Sequence, residues 1–157
     1  MADAALSVPN EQAAPLDTRD QIARLAAAMR ELPQAQLETS HFFAPGMYCR
    51  VLARPKDCVI VGKRHLAAHF YIVAKGSVAV VNADGSRRIL SAGDVHVSQP
   101  GTQRAVVALE DSICLTVHRT DLRDLDAIEA ELIEPDAAAL FDARNEPRAP
   151  QIEEKKS

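Results

Sequence analysis

The spacing of hydrophobic residues changes twice along this chain and divides it into a helix, a strand-rich centre and a second helix. Apolar residues recur at helical spacing from Ile22 to Leu32, and Pro33 follows directly. A similar pattern predicts a second helix over 121–133, with Pro135 just beyond its end. Each helix has one apolar face to bury, and for the first helix the cover is either the barrel of its own chain or a neighbouring subunit.

Between the helices, short runs rich in Val and Ile are separated by Gly, Pro and Asp, a pattern typical of β-strands joined by tight turns. Asp84-Gly85 predicts a hairpin, because these residues tolerate the positive φ of a tight connection. No helical run separates the strands, which argues against a parallel α/β sheet. We therefore expect a mainly β fold, a single antiparallel β-barrel or jelly roll with an N-terminal and a C-terminal helix. The predicted strands span residues 47–53, 58–61, 69–73, 77–81, 87–90, 95–98, 104–109 and 113–118.

The chain of 157 residues is long enough for one domain with its own core. Residues 1–16 are rich in Ala, Pro, Asn and Gln without periodicity, which predicts a flexible N-terminal arm. Residues 17–135 are expected to form the folded unit. Residues 136–157 combine Ala, Asp and Pro with a charged end and predict an extended or disordered tail.

The composition excludes several classes of function. A net charge of −4 gives no general electrostatic case for nucleic-acid binding. No apolar run approaches the roughly 20 residues that a membrane helix needs, and the N-terminus lacks the features of a signal peptide. The three cysteines are far apart in sequence, so we expect free thiols that act as small apolar side chains in a reducing cytoplasm.

Three histidines are candidate metal ligands. His65 and His69 are four residues apart at the entry to a predicted strand, and His118 lies at the end of the last one, on the same face as Cys114 and Thr116. If that face looks into the barrel, the three side chains could converge on one divalent transition metal. In the alternative interpretation, His65 and His69 hydrogen-bond to loop carbonyls.

Two basic residues are candidate contacts for an anion such as a carboxylate or phosphate. Lys63 belongs to a small basic turn beside the histidines, and a solvated turn is the alternative interpretation. Arg104 begins a predicted strand and could face inward or outward. An inward guanidinium must be paired or must bind an anion, because an isolated buried charge costs several kcal/mol. The candidate partners are Glu110, Asp111 and Asp94.

The spacing around these residues resembles the metal-binding motifs of cupins. Counting back from Gly76, His69 stands where the usual glutamate would be and His65 where the second histidine would be. Lys63 then replaces the first histidine, and Arg104 falls near the last one. A protonated lysine and an arginine have no lone pair to give a metal. The resemblance, over residues 45–118, therefore implies a cupin barrel in which part of the metal site has been replaced.

A more particular resemblance is carried by residues 41–48, 62–65, His69, 100–104 and 108–118. These stretches resemble small cupin-like proteins encoded by tailed bacteriophages and prophages. That likeness implies a non-enzymatic, virion-associated or assembly module, such as a capsid cement, decoration or tail-associated protein. Capsid or tail proteins would be its partners, and the host cytoplasm or the virion its location. The flanking helices and barrel faces also predict a homo-oligomer.

Two alternatives stay open beside this structural role. One is a metal-dependent small-molecule enzyme that uses a divalent ion held by His65, His69 and His118. The other is an anion-binding barrel without catalysis, in which Lys63 and Arg104 hold the ligand. The choice depends on whether the polar strand faces point into one cavity, and alternation alone does not label the inner face.

Overall fold

The computed structural model describes residues 18–82, 85–136 and 139–148, and within them the chain forms two helices and nine β-strands. Helix α1, Thr18–Arg30, precedes the strands, and helix α2, Leu125–Leu132, follows them. The predicted mainly β chain with one helix on each side is confirmed. The strands are β1 (Thr39–Ala44), β2 (Met47–Arg54), β3 (Val59–Val61), β4 (His69–Lys75), β5 (Ser77–Asn82), β6 (Arg87–Ser91), β7 (Val95–Ser98), β8 (Arg104–Ala108) and β9 (Ser112–Arg119).

The described strands form two sheets in which each pair of neighbours is antiparallel. The five-stranded sheet has the order β1-β2-β9-β4-β7, and the four-stranded sheet has the order β3-β8-β5-β6. Several connections cross from one sheet to the other, as in a jelly roll. The described residues thus show a two-sheet arrangement, and they do not show the single closed barrel that the sequence predicted.

All eight predicted strands are present, with ends that shift by one or two residues. The prediction missed β1, which pairs with β2 at the edge of the five-stranded sheet. Phe42 is exposed and Phe43 is half-buried. The strand therefore alternates in burial but not in polarity at these two positions, because both residues are phenylalanine. The predicted hairpin joins β5 to β6, which pair antiparallel, but Asp84 itself lies outside the described residues.

The main apolar core lies between the two sheets. It contains one aromatic ring and a set of small aliphatic side chains: Tyr71, Val73, Val78, Val80, Leu90, Val106 and Cys114. At its edge, Gly76 joins β4 to β5 with a φ of 76°. A Cβ there would lie 2.5 Å from the backbone oxygen of Asp111, so this turn requires glycine.

Helix α2 covers one end of the strands. Its residues Ile128 and Leu132 are buried against Tyr48 of β2, with Phe43 packed alongside. The helix is shorter than the predicted 121–133, because its first turn begins after Asp124. No helix among the described residues is long and apolar enough to cross a membrane.

Part of the predicted tail contacts the edge of the five-stranded sheet. The side-chain amide of Asn145 donates to the Thr39 hydroxyl over 3.0 Å, and Lys63 donates to the Phe141 carbonyl over 3.1 Å. Residues 1–16 and 149–157 lie outside the described residues, so the predicted division into arm, folded unit and tail stays a prediction.

Candidate functional site

The inner face of the five-stranded sheet is polar at the end covered by α2. Because alternate residues of a strand share a face, the register assigns these side chains to one surface. Tyr48 lies opposite His118, Arg50 opposite Thr116, and Tyr71 opposite the same Thr116. This surface lines a cavity of about 870 Å³, whose lining also includes His65 and Arg104. The polar strand faces that the sequence left unassigned therefore do meet in one cavity.

Three histidine rings are in contact where His65 and His118 line this cavity, and the third ring, that of His69, is buried against both. The centroids of His65 and His69 are 4.2 Å apart, those of His69 and His118 are 4.6 Å apart, and those of His65 and His118 are 5.4 Å apart. His69 begins β4, and His118 lies near the end of β9. His65 comes from the loop before β4, where its N–H donates to the Thr102 carbonyl over 2.9 Å. The structure thus brings together the three residues that the sequence singled out as metal ligands.

The environment keeps all three imidazoles neutral. Burial, with the neighbouring His69 and His118 adding to it, lowers the pKa of His65 to about 2. Burial, followed by His69 and Arg50, lowers the pKa of His118 to about 3. Burial also lowers the pKa of His69. A neutral imidazole has a nitrogen lone pair to offer a metal ion.

Two nitrogens of the cluster are buried without a hydrogen-bond partner in the described part of the chain. They are Nε2 of His69 and Nδ1 of His118. Nδ1 of His69 lies 3.2 Å from the Ala67 carbonyl, and donation to that oxygen assigns the ring proton to Nδ1. The lone pair of Nε2 then points away from any described donor. A backbone carbonyl that fixes the tautomer in this way is common behind metal-ligating histidines.

The arrangement is not a finished metal site. Among residues 18–82, 85–136 and 139–148, no group of three or more His, Cys, Asp or Glu side chains has donor atoms arranged to hold an ion. The rings of His65 and His118 stack, with an angle of 8° between their planes. The donor set is neutral, desolvated and of the right chemistry, but the rings would have to turn for their nitrogens to converge.

An aromatic pair extends the cluster toward β1. The Tyr48 ring stacks on His118 with centroids 6.0 Å apart, and its hydroxyl lies 2.7 Å from Nδ1 of His41. Burial is the main cause that raises the pKa of Tyr48 to about 12. Neither His41 nor Tyr48 was among the candidate site residues selected from the sequence. The β2 register, which sets Tyr48 beside His118, was the signal that could have found it.

Arg104 points inward, which resolves the orientation that the sequence left open. It is 6% exposed, donates to the Ser98 hydroxyl, and lies 4.7 Å from the Tyr71 ring centroid. The three carboxylates suggested as its partners bind elsewhere: Glu110 accepts from Ser77, Asp111 from the Lys56 N–H, and Asp94 from the Ser91 N–H.

Lys63 is held by other parts of the protein. Its ammonium group forms an ion pair with Glu129 of α2, in addition to its bond to the Phe141 carbonyl. Arg64 next to it bonds the Gly101 carbonyl and pairs with Glu134. A contact between Lys63 and an anion stays a prediction, and it would have to compete with the Glu129 carboxylate.

The three cysteines are free thiols. Cys114 is buried in the apolar core, and burial raises the pKa of Cys49 and of Cys58. A raised pKa keeps a thiol protonated and unreactive at neutral pH.

No protein-family model matches the chain, and no curated protein matches it. Solved structures do resemble it. KdgF from Halomonas sp. is 22% identical, with coverage of 60% of this chain and 86% of that one and a TM-score of 0.50. An RmlC-like cupin from Shewanella frigidimarina is 21% identical, with coverage of 60% and 84% and a TM-score of 0.47. Salicylate 1,2-dioxygenase from Pseudoaminobacter salicylatoxidans is 13% identical, with coverage of 62% and 30% and a TM-score of 0.48.

The structures that this chain resembles are cupin-like, and enzymes are among them. At this level of identity the likeness shows the fold alone. Nothing in the comparisons supports a phage origin or a place in a virion.

Proposed function

We propose that this chain is a metal-dependent cupin that binds and transforms a small molecule, with His65, His69 and His118 as ligands to one divalent transition metal. The observation that carries the proposal is the contact of three neutral imidazoles, of which His65 and His118 line the cavity, together with an unpartnered buried nitrogen on each of His69 and His118. Buried polar atoms usually have a hydrogen-bond or metal partner, and a metal ion bound to the cluster would provide one for both nitrogens.

The residues around the cluster suit this role. His69 would present Nε2 while the Ala67 carbonyl holds its other nitrogen, and Tyr48 would support the His118 ring from behind. A metal bound there would supply a Lewis acid that polarises a ligand oxygen or lowers the pKa of a bound water. Closure of this end of the cavity by α2 would limit the access of bulk water.

The test is metal content, measured by ICP-MS on full-length protein purified without chelator. We expect about one transition metal per chain, lost in the double variant His65→Ala/His69→Ala. His96→Ala is the matched control, because His96 lies on the same sheet outside the three-ring cluster, and this variant should keep its metal. Calorimetric titration of stripped protein with Zn²⁺ or Co²⁺ provides a second measurement.

Two results would contradict the proposal. One is the absence of metal and of measurable Zn²⁺ or Co²⁺ binding in the folded native protein. The other is equal metal content in the native protein and the double variant. The virion-associated role implied by the phage resemblance would then be the next candidate, and a search for the protein in purified phage particles would test it.

The predicted homo-oligomer has one observation in its favour, which is the apolar outer face of the five-stranded sheet. Phe70 and Val97 pair with each other there and are 48% and 52% exposed. We propose a second copy of the chain as the cover for this face. The cytoplasmic location and the absence of nucleic-acid and membrane partners stay predictions.

A further inference from the structure

Three arginines line the cavity, and none of them forms an ion pair with a described carboxylate. Arg54 and Arg104 are 8% and 6% exposed, and Arg50 lies two inward positions before Arg54 along β2, with Leu52 between them. Nε of all three, together with Nη1 of Arg54, is buried without a hydrogen-bond partner.

Two of the three arginines converge on one aromatic ring. The Arg104 guanidinium lies 4.7 Å from the centroid of Tyr71, and that of Arg54 lies 5.8 Å from it. Arg104 comes from β8 of the four-stranded sheet and Arg54 from β2 of the other, so the two sheets contribute one charge each to the same point. The ring holds both guanidiniums by cation–π attraction, which positions them but leaves their charge uncompensated.

The acidic residue that acts on Arg50 from the described part of the chain already has another partner. Glu129 acts on Arg50 from a distance, but its carboxylate is the partner of Lys63. Burial lowers the pKa of Arg50 and of Arg104, and the repulsion of Arg54 adds to both. Arginine nevertheless stays protonated in proteins, so this end of the cavity carries positive charge that folding alone does not explain.

We propose that Arg54, Arg104 and Arg50 form a binding site for a small dianion, either a phosphate group or a compact dicarboxylate. Two negative charges on neighbouring oxygens match guanidinium forks, which bind carboxylate and phosphate oxygens in pairs. The unpartnered guanidinium nitrogens supply the donors, and the Tyr71 hydroxyl is a further donor beside them. The site goes beyond the proposed function, since its donors are distinct from the histidines and do not require a metal.

Binding is measured by isothermal titration calorimetry on full-length, metal-stripped protein at low salt, with inorganic phosphate, succinate and acetate as separate probes. We expect phosphate or succinate to bind at least tenfold more tightly than acetate. A preference between the first two identifies the source of the dianion. Arg54→Gln and Arg104→Gln should each weaken that binding at least tenfold. Arg119→Gln, at an exposed position of β9, is the matched control and should change it less than twofold.

Thermal unfolding separates a binding site from a structural cluster. Removal of one uncompensated buried charge should raise the melting temperature of the ligand-free protein, so Arg54→Met should melt higher than the native chain and yet bind the dianion poorly. His65→Ala/His69→Ala should keep dianion binding even if it never binds metal, so the two proposals can fail separately. Equal affinities in the native, Arg54→Gln and Arg104→Gln proteins, or the absence of dianion binding by the native protein, would overturn the proposal.

Discussion

The two faces of the five-stranded sheet differ from those of a sheet that simply covers a core, because polar side chains occupy part of the inner face and an apolar row occupies the outer face. The outer face carries an apolar row that crosses all five strands in register: Phe42, Cys49, Val117, Phe70 and Val97. The inner face carries arginines, histidines and tyrosines. An antiparallel sheet with one covered face usually buries its apolar residues and exposes its polar ones. This distribution supports the proposed ligand site on the inner face and the proposed second copy on the outer face.

Stability must then come from elsewhere in the molecule. Val73 and Val78 are fully buried in the apolar core, on the β4–β5 side of the two sheets. Thr116 lies on the same inner face of the five-stranded sheet, but beside Arg50 and Tyr71. The interior is therefore divided into an apolar part that stabilises the fold and a polar part that holds the candidate site.

The largest expected effect tests this division. Val78→Ala should destabilise the protein by on the order of 2–3 kcal/mol, because it opens a cavity in a fully packed cluster. Thr116→Val, which makes the polar part more apolar at nearly constant volume, should change stability by less than about 1 kcal/mol or increase it. Urea unfolding of both variants measures the difference. Equal losses would show that the polar part is as important for stability as the apolar one.

The next effect concerns the outer face. If a second copy covers it, the double variant Phe70→Lys/Val97→Lys should weaken self-association at least about tenfold, which corresponds to about 1.4 kcal/mol. Two like charges at the centre of an apolar interface cannot be paired by a symmetric copy. Sedimentation velocity over a range of concentrations measures the change. Ile89→Lys is the matched control, because Ile89 is 68% exposed but lies on the other sheet. An unchanged oligomeric state in the Phe70/Val97 variant would contradict this use of the face.

The smallest effect is a pH dependence of stability that comes from the inner face. The pKa of His118 is lowered to about 3 in the folded protein, so the unfolded state takes up a proton first as pH falls. The contribution of this histidine is fully present above its ordinary pKa of 6.5 and is lost as pH falls from there toward 3. The slope reaches up to about 1.4 kcal/mol per pH unit.

The measurement is urea unfolding of the metal-stripped native protein and of His118→Phe at about pH 7.5, 6.5 and 5.5, which cover the range just above and below the ordinary histidine pKa. The native protein should lose stability more steeply below the ordinary histidine pKa than the variant does. Parallel pH profiles would mean that His118 accepts a proton in the folded state without cost.

Much of the fold could be predicted from local signals. Period-two alternation and Gly or Pro punctuation located eight strands, and helical spacing located both helices. Strand β1 was missed because its two faces carry the same residue type at positions 42 and 43. The cupin likeness could be inferred from the spacing that ends at Gly76, which the structure explains by the positive φ and the close approach of Asp111 there.

The candidate site could be predicted only in part. Histidines 65 and 69 are near neighbours in sequence, so their contact was accessible to motif spacing, while the choice of His118 depended on which face of β9 looks inward. Lys63 was selected because of its motif position, and only the fold shows that α2 brings Glu129 to it.

By itself, the sequence determined where the strands and helices lie, because backbone preferences and side-chain period are local properties. Only the tertiary structure decided which face of the five-stranded sheet is inside. A shift of one residue exchanges the two faces of a strand, and alternation alone does not label them. The meeting of Arg54 and Arg104 on Tyr71 depends on two sheets packed across a cavity. The two arginines are fifty residues apart in the chain, so no local sequence pattern predicts that they lie on the same ring.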